Sequence, residues 1–339
     1  MLTSTADLSQ FKLDGKIGEG ADSEVFAATD SATGDAVVVK RPHPMLISRG
    51  QHSAVERRMA SAIALREQLG DTLPCVAKLI GYSQSASHDD YFSDTLGESY
   101  SVVVEERARG IPLVASAMDG IKRHPIGLPQ NLFAIHPVLP HLERGRFSIL
   151  RDLLEVGRAF DNAGALILDM RPQNIYFHPG SATIIVIDIG GVTEPQATSG
   201  RKPLLDLHDF YLELFKWYIP NTTPPQQATG YAQPIGMETI PMFNQNLDTI
   251  IRQHTDAPDG DWHDAAIHIL RKVKARTYPG FDAFSADFDA LLDLLNSRYE
   301  HLSNCEGIRK AWQKAAELLT ADYWRKYQFD SDSLSAYNR

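Results

Sequence analysis

Short runs of alternating apolar and polar residues dominate the first hundred positions of the chain. Residues 11–13 and 25–27 alternate on either side of a glycine-containing turn, which predicts a β-hairpin. The β-branched runs 36–40 and 100–107 predict two further strands. The N-terminal third is therefore expected to be rich in β-structure.

Helical periodicity replaces this alternation over much of the remaining chain. Apolar residues recur at intervals of three and four over residues 53–69, 147–163, 288–302 and 308–324, which predicts helices there. Residues 109–146 are rich in Gly, Pro and His and predict an inserted loop. A small β-rich part followed by a larger helical part is the expected organisation.

Three polar residues near the middle of the chain have the spacing of a phosphoryl-transfer site. Asp169 and Asn174 are five positions apart, and Asp188 follows the apolar run 184–187. Carboxylate and amide oxygens are suitable ligands for Mg²⁺, and a further carboxylate can orient a hydroxyl group. Because Asp and Asn also recur together in ordinary turns, the order of the surrounding motifs must decide.

Several segments, taken in chain order, resemble parts of the protein kinase superfamily. Residues 17–26 are similar to the glycine-rich loop, and residues 36–40 are similar to the V-A-I-K strand. Residues 167–174 are similar to the catalytic loop H-R-D-L-x-x-x-N, and residues 188–190 to the D-F-G metal loop. The resemblance extends over about residues 11–217.

The resemblance implies an α+β, bilobal protein-kinase-like fold. The β-rich N-lobe would comprise residues 1–109, the larger helical C-lobe residues 110–330, and a short tail residues 331–339. The implied activity is the transfer of the γ-phosphate of ATP to a hydroxyl group, with Mg²⁺ as the metal.

The resemblance also assigns roles within this ATP site. Lys40 would hold the α and β phosphates, and Arg171 would offset charge on the transferred group. Asp169 would orient the acceptor hydroxyl, and Asn174 and Asp188 would bind Mg²⁺. The residues that would cover the nucleotide belong to the glycine-rich hairpin and are Gly18, Gly20, Ser23 and Val25.

Lys40 is expected to pair with a carboxylate on the following helix. Glu56 and Glu67 are eleven residues apart, which is about three turns, so both fall on nearly the same stripe of that helix. Glu56 is preferred because Glu67 lies beside Gly70, where the helix is expected to end.

The strand that ends near residue 107 is expected to lead into the hinge between the lobes. By the resemblance, the backbone of Glu105 and Arg107 would bind adenine. Val104 would be the gatekeeper at the back of the nucleotide pocket.

Other features depart from ordinary protein kinases and leave the substrate class open. Ile167 and Leu168 stand where the family has His and Arg, and no A-P-E motif occurs in residues 191–205. The short segment 191–205, together with the Gly-Ala-Asp-Ser-Glu-Val sequence of residues 20–25, is similar to RIO kinases and bacterial kinase-like proteins. A Ser or Thr hydroxyl of a protein is the preferred acceptor. A nucleotide-binding scaffold and a small-molecule kinase of the aminoglycoside or fructosamine type are the alternatives.

Charge and cysteine content narrow the range of partners. The formal net charge of −10 argues against general nucleic-acid binding, which draws its affinity from Lys and Arg. Two cysteines, Cys75 and Cys305, are too few for a zinc site or a disulfide framework. No signal peptide or long apolar run appears, so we expect a cytoplasmic protein that does not bind membranes. Trp312 and Trp324 fall on the apolar stripe of the C-terminal helices, so we expect them to pack in the core or against a protein partner.

Overall fold

The computed structural model has a mixed α and β architecture, with a five-stranded antiparallel sheet and several helices. This confirms the coarse fold class. The described residues are 5–20, 22–70, 73, 75–112, 148–167, 169–170, 174–178, 183–189, 192–193, 206–218, 247–249, 251–252 and 260–302. Arg171, most of the inserted loop and the predicted helix 308–324 lie outside them.

The chain divides into two compact units. The first unit is Met1–Ala108 together with Ile187–Val192, and the second is Arg109–Val186 together with Thr193–Arg339. The first unit ends beside Arg109, where the sequence predicts a lobe boundary. The sequence did not predict that the segment containing Asp188 groups with the first unit.

The first unit is built on an antiparallel sheet with the strand order β1-β2-β3-β5-β4. Its strands are β1 (Phe11–Glu19), β2 (Ser23–Asp30), β3 (Ala36–Pro42), β4 (Leu79–Tyr82) and β5 (Val103–Glu106). Its helices are α1 (Pro44–Ser48), α2 (Ser53–Leu69) and α3 (Asp89–Phe92). The predicted hairpin, both further strands and the first predicted helix are therefore confirmed.

The two faces of this sheet have different chemistry, because successive residues of a strand point to opposite sides. One side, which we call the Arg41 face, packs Val37, Val39 and Val104 into a buried apolar cluster. The opposite side, which we call the Lys40 face, carries Lys40 between the register partners Val25 and Val103.

Arg41 is buried among groups that match its charge and its planar shape. Its Nη2 lies 2.9 Å from Oε2 of Glu24, and its Nη1 donates to the Tyr100 hydroxyl at 3.3 Å. The guanidinium also lies 4.2 Å from the ring centre of Phe92. Burial alone would raise the pKa of the Glu24 carboxyl, but hydrogen bonds from Lys16 and Arg41 outweigh burial and lower it.

The second unit is mainly helical. Its helices are α4 (Ser148–Asn162), α5 (Leu207–Tyr218), α6 (Asp261–Ala275) and α7 (Phe281–Leu302). The remaining strands in chain order are β6 (Ile111–Pro112), β7 (Leu166–Ile167), β8 (Ile175–His178), β9 (Thr183–Val186) and β10 (Val192–Thr193). β8 pairs with both β6 and β9 in an antiparallel sheet.

Aromatic packing joins the helices of the second unit. Tyr211 of α5 stacks on Phe284 of α7 with ring centres 3.8 Å apart. A β-carbon at Gly157 of α4 would lie 2.5 Å from a ring carbon of Phe210, so this close approach requires glycine. The helix predicted to begin at residue 288 begins at Phe281, because Phe281 and Phe284 extend its buried stripe toward the N-terminus.

Replacing Arg41 by Met should lower the free energy of unfolding by about 3 kcal/mol, because it removes a buried partner of Glu24. Arg58→Ala is the matched control, since the Arg58–Asp22 ion pair is exposed at both side chains. We expect the control to cost less than about 1 kcal/mol. Chemical denaturation followed by circular dichroism measures both values, and equal losses would contradict a stabilising role for the Arg41 cluster.

Candidate functional site

Residues predicted to cover a nucleotide lie in one row on the sheet of the first unit. Gly18 is the register partner of Val25, and Val25 is the register partner of Lys40. Lys40 in turn lies opposite Val103 of β5. Ser23 is two residues before Val25 and therefore shares the Lys40 face. Strand pairing alone brings these sequence-predicted residues together.

The glycines of the β1–β2 hairpin leave space that the chain itself does not fill. A β-carbon at Gly18 would lie 3.7 Å from Cβ of Val25, and one at Gly20 would lie 3.8 Å from the Ser23 carbonyl oxygen. Both are ordinary van der Waals distances, and neither glycine has a positive φ angle. Neither backbone conformation nor internal packing therefore requires glycine here. An open backbone over this strand fits the close approach of a phosphate group.

Lys40 forms a buried ion pair with Glu105. Its Nζ lies 2.7 Å from Oε2 of Glu105, while Nη1 of Arg66 donates to the other carboxylate oxygen. The exposed fractions of the three side chains are 12% for Lys40, 6% for Glu105 and 7% for Arg66. Burial by itself would raise the pKa of the Glu105 carboxyl, but the charges of Arg66 and Lys40 outweigh it and lower the pKa to about 2.

The expected pairing of Lys40 with Glu56 is wrong in this structure. Oε1 of Glu56 accepts a hydrogen bond from the backbone N–H of Ser101 at 2.8 Å. Glu67, the alternative, is exposed, whereas its neighbour Arg66 is buried and donates to Glu105. Helical periodicity predicts that both glutamates lie on one stripe of α2. It does not indicate which turn of α2 faces Lys40.

The expected adenine contacts are also corrected by the register of β5. The N–H of Arg107 donates to the carbonyl of Ala36 at 3.3 Å. Glu105, two residues earlier, presents its backbone to the same neighbouring strand and is the register partner of Val38. Their N–H groups therefore complete the sheet. Val104, the expected gatekeeper, is fully buried on the Arg41 face and points away from Lys40.

A hydrogen bond joins Asp169 and Asn174, which lie between β7 and β8 in the chain. Nδ2 of Asn174 donates to the backbone carbonyl of Asp169 at 3.1 Å. Their chain neighbours Met170 and Ile175 are fully buried. Asp169 and Asn174 themselves are half-buried. Arg171, predicted to act beside them, lies outside the described residues.

Asp188 has a backbone conformation that is unusual for a residue with a side chain. Its φ angle is 56°, in the left-handed region, and its side chain is exposed. Such angles are uncommon outside glycine, although Asp tolerates them better than most residues. The buried neighbours Val186 and Ile189 fix the chain on either side. Strained residues of this kind concentrate at functional sites.

The described residues contain one other group with the geometry of a metal site. Carboxylate oxygens of Glu19 and Glu24 and a ring nitrogen of His43 lie within 4.8 Å of one another. Lys16, however, approaches Glu19 at 2.5 Å and Glu24 at 2.6 Å. These carboxylates are already neutralised by a cation of the chain, which disfavours a metal ion there.

Comparisons with known proteins do not identify a family for the chain. No protein-family model matches it. No curated protein matches it. Within the described ranges, no helix combines the length and the apolar character needed to cross a membrane.

The stability of the protein should depend on pH through Glu105. A carboxyl whose pKa is lowered by folding stabilises the protein fully above its ordinary pKa of 4.5, and this contribution is lost as the pH falls toward 2. Glu105→Gln should therefore destabilise the protein at pH 7 and differ much less from the wild type near pH 2. Denaturant unfolding across this range measures the difference. The control Glu98→Gln removes an exposed carboxylate, and its free energy of unfolding should stay close to that of the wild type at every pH. If the stability difference between Glu105→Gln and the wild type does not shrink at low pH, the ion pair is contradicted.

Proposed function

We propose that this protein is an ATP- and Mg²⁺-dependent phosphotransferase with a bilobal, kinase-like arrangement, acting on Ser or Thr hydroxyls of proteins. The observation that carries the proposal is the row of Gly18, Val25 and Lys40 on one sheet face, next to a buried ion pair of Lys40. Glycines that are not required by their own surroundings, beside a fixed lysine, suit the binding of phosphate groups.

The first unit would bind and orient the nucleotide. Lys40 has three N–H donors, and its ion pair with Glu105 would leave donors for the α and β phosphates. The backbone around Gly18 and Gly20 would approach the phosphates closely, and the Ser23 hydroxyl would donate a hydrogen bond. This division of tasks is consistent with phosphoryl transfer, in which the protein mainly supplies position and electrostatic stabilisation.

The carboxylate of Asp169 would accept the proton of the acceptor hydroxyl and orient the hydroxyl oxygen. The amide of Asn174 and the carboxylate of Asp188 would supply oxygen ligands, and Mg²⁺, when bound, offsets charge on the phosphates. Arg171 would add positive charge near the transferred group.

A nucleotide-binding scaffold is the second candidate. Two observations favour it: Lys40 pairs with a strand residue and not with the helix, and the His-Arg pair before the catalytic Asp is replaced by Ile167 and Leu168. The presence of Lys40, Asp169, Asn174 and Asp188 together favours catalysis. A small-molecule kinase is disfavoured by the Asp188-Ile189-Gly190 sequence.

Release of ADP from Mg-ATP tests the proposal directly. The purified chain should release ADP, and Asp188→Ala should abolish this release because it removes a metal ligand. Glu67→Ala, which removes an exposed carboxylate of α2, should keep wild-type activity. Intact mass from the same samples with candidate protein acceptors should show the addition of phosphate.

The other outcomes separate the candidates. ATP binding without release of ADP would support the scaffold, whereas phosphate gain only with small hydroxyl compounds would support a small-molecule kinase. If the wild type neither binds nor hydrolyses ATP, the proposal is wrong.

Substitution of the hairpin glycines Gly18 and Gly20 should weaken nucleotide binding without lowering the folding stability. Gly18→Ala and Gly20→Ala should weaken Mg-ATP binding about tenfold, which is ~1.4 kcal/mol, because the methyl group occupies the space left for phosphate. Folding stability should be unchanged or higher by about 0.5 kcal/mol, since alanine restricts the unfolded chain.

Gly34→Ala is the control for the hairpin glycines. Gly34 has a φ angle of 79° in an open turn, so this change should cost about 1 kcal/mol of stability and leave the Mg-ATP affinity unchanged. Titration calorimetry and thermal unfolding measure both quantities. Unaltered nucleotide affinity in Gly18→Ala and Gly20→Ala would show that the hairpin does not cover the phosphates.

A further inference from the structure

We propose that Glu105, on a strand, is the residue that positions Lys40 for phosphate binding, and that Arg66 of α2 in turn holds Glu105. This inference rests on the proposed function and identifies positioning residues within it. The helix would then contribute a cation to the lysine site, where the sequence predicts that it contributes a glutamate.

The contact between Lys40 and Glu105 follows from the register of the sheet. Lys40 lies opposite Val103, and Glu105 lies two residues further along β5 and opposite Val38. Lys40 and Glu105 are therefore diagonal neighbours on one face, within reach of long side chains. The observed separation of 2.7 Å between Nζ and Oε2 requires no particular placement of α2.

The buried stripe of α2 excludes Glu56 from this site. Its buried residues are Val55, Ala62, Leu65 and Arg66, and Arg66 is the member that reaches Glu105. Glu56 precedes Arg66 by ten residues, which is about 15 Å along the helix axis. Bringing Glu56 to Lys40 would require sliding the helix by a large part of that distance and breaking its hydrogen bond with Ser101.

The charges of the cluster suit an anionic ligand. Two cations share one carboxylate, so the buried cluster of Lys40, Glu105 and Arg66 has an excess positive charge. Nε and Nη2 of Arg66 are buried and have no hydrogen-bond partner among the described residues. Buried donors without acceptors are costly, and a phosphate at Lys40 would offset the excess positive charge of the cluster.

The opposite face of the sheet provides a matched control within the same unit. Glu24 is also buried and also lies between one lysine and one arginine, with Lys16 at 2.6 Å and Arg41 at 2.9 Å. Glu24 points to the Arg41 face, whereas Glu105 points to the Lys40 face. A purely structural effect of losing a buried carboxylate should appear equally at both positions.

Mg-ATP binding and turnover of the full chain test the proposal with Glu105→Gln, Glu24→Gln and Glu56→Gln. Dissociation constants come from titration calorimetry, and kcat and KM come from ADP release, at a temperature where circular dichroism shows every variant folded. Glu105→Gln should weaken binding or lower kcat/KM by about tenfold or more, because Lys40 loses its fixed orientation. Glu24→Gln and Glu56→Gln should remain within about twofold of the wild type.

Three results would overturn the proposal. Loss of affinity in Glu56→Gln with retained affinity in Glu105→Gln would restore the helix glutamate as the partner. Equal loss in Glu24→Gln and Glu105→Gln would reduce Glu105 to a structural role. A wild type that binds no Mg-ATP would instead refute the proposed function itself, and with it this inference. If Glu105→Gln does not fold, Arg66→Met replaces it. This variant should lose Mg-ATP affinity by about threefold to tenfold. An unchanged affinity would contradict the proposal.

Discussion

Two adjacent cations of β3, Lys40 and Arg41, are each matched by a buried glutamate, and both faces of the first unit are organised around these ion pairs. Because neighbouring strand residues point to opposite sides, the pair at Lys40 and Glu105 lies on one face and the pair at Arg41 and Glu24 on the other. A buried charge is tolerated only when its partner is well placed. The register of the strands is therefore tied to the positions of these four side chains.

The sequence was sufficient to predict the elements that depend on local pattern. The bounds of α2, the hairpin and the strands around Lys40 follow from alternation and periodicity, and the structure has them where they were expected. The row of Gly18, Val25 and Lys40 was not predictable as a row, but each residue was singled out by its motif. Strand pairing then placed them side by side.

The errors concern quantities that local pattern does not contain. Periodicity gives the direction of a side chain around a helix axis but not the height at which the helix meets a sheet. The sequence therefore offers Glu56 and Glu67 as partners of Lys40 and does not point to a strand residue. The resemblance implies that Val104 is the gatekeeper, but the register of β5 turns its side chain toward the Arg41 face and turns Glu105 toward Lys40. Alternation along β5 places Glu105 on the same face as Val103, the register partner of Lys40. The sequence alone could have indicated this only if the pairing of β3 with β5 had been known.

The central claim is that Lys40, held by Glu105, binds the phosphates of a nucleotide. A crystal structure of the full chain with Mg²⁺ and a non-hydrolysable ATP analogue tests it most directly, through the distances from Nζ of Lys40 to its neighbours. The account predicts that Glu105 and an α or β phosphate oxygen both lie within about 3 Å of Nζ. A nucleotide bound away from the Lys40 face, or a Lys40 paired with Glu56 in the complex, would contradict it.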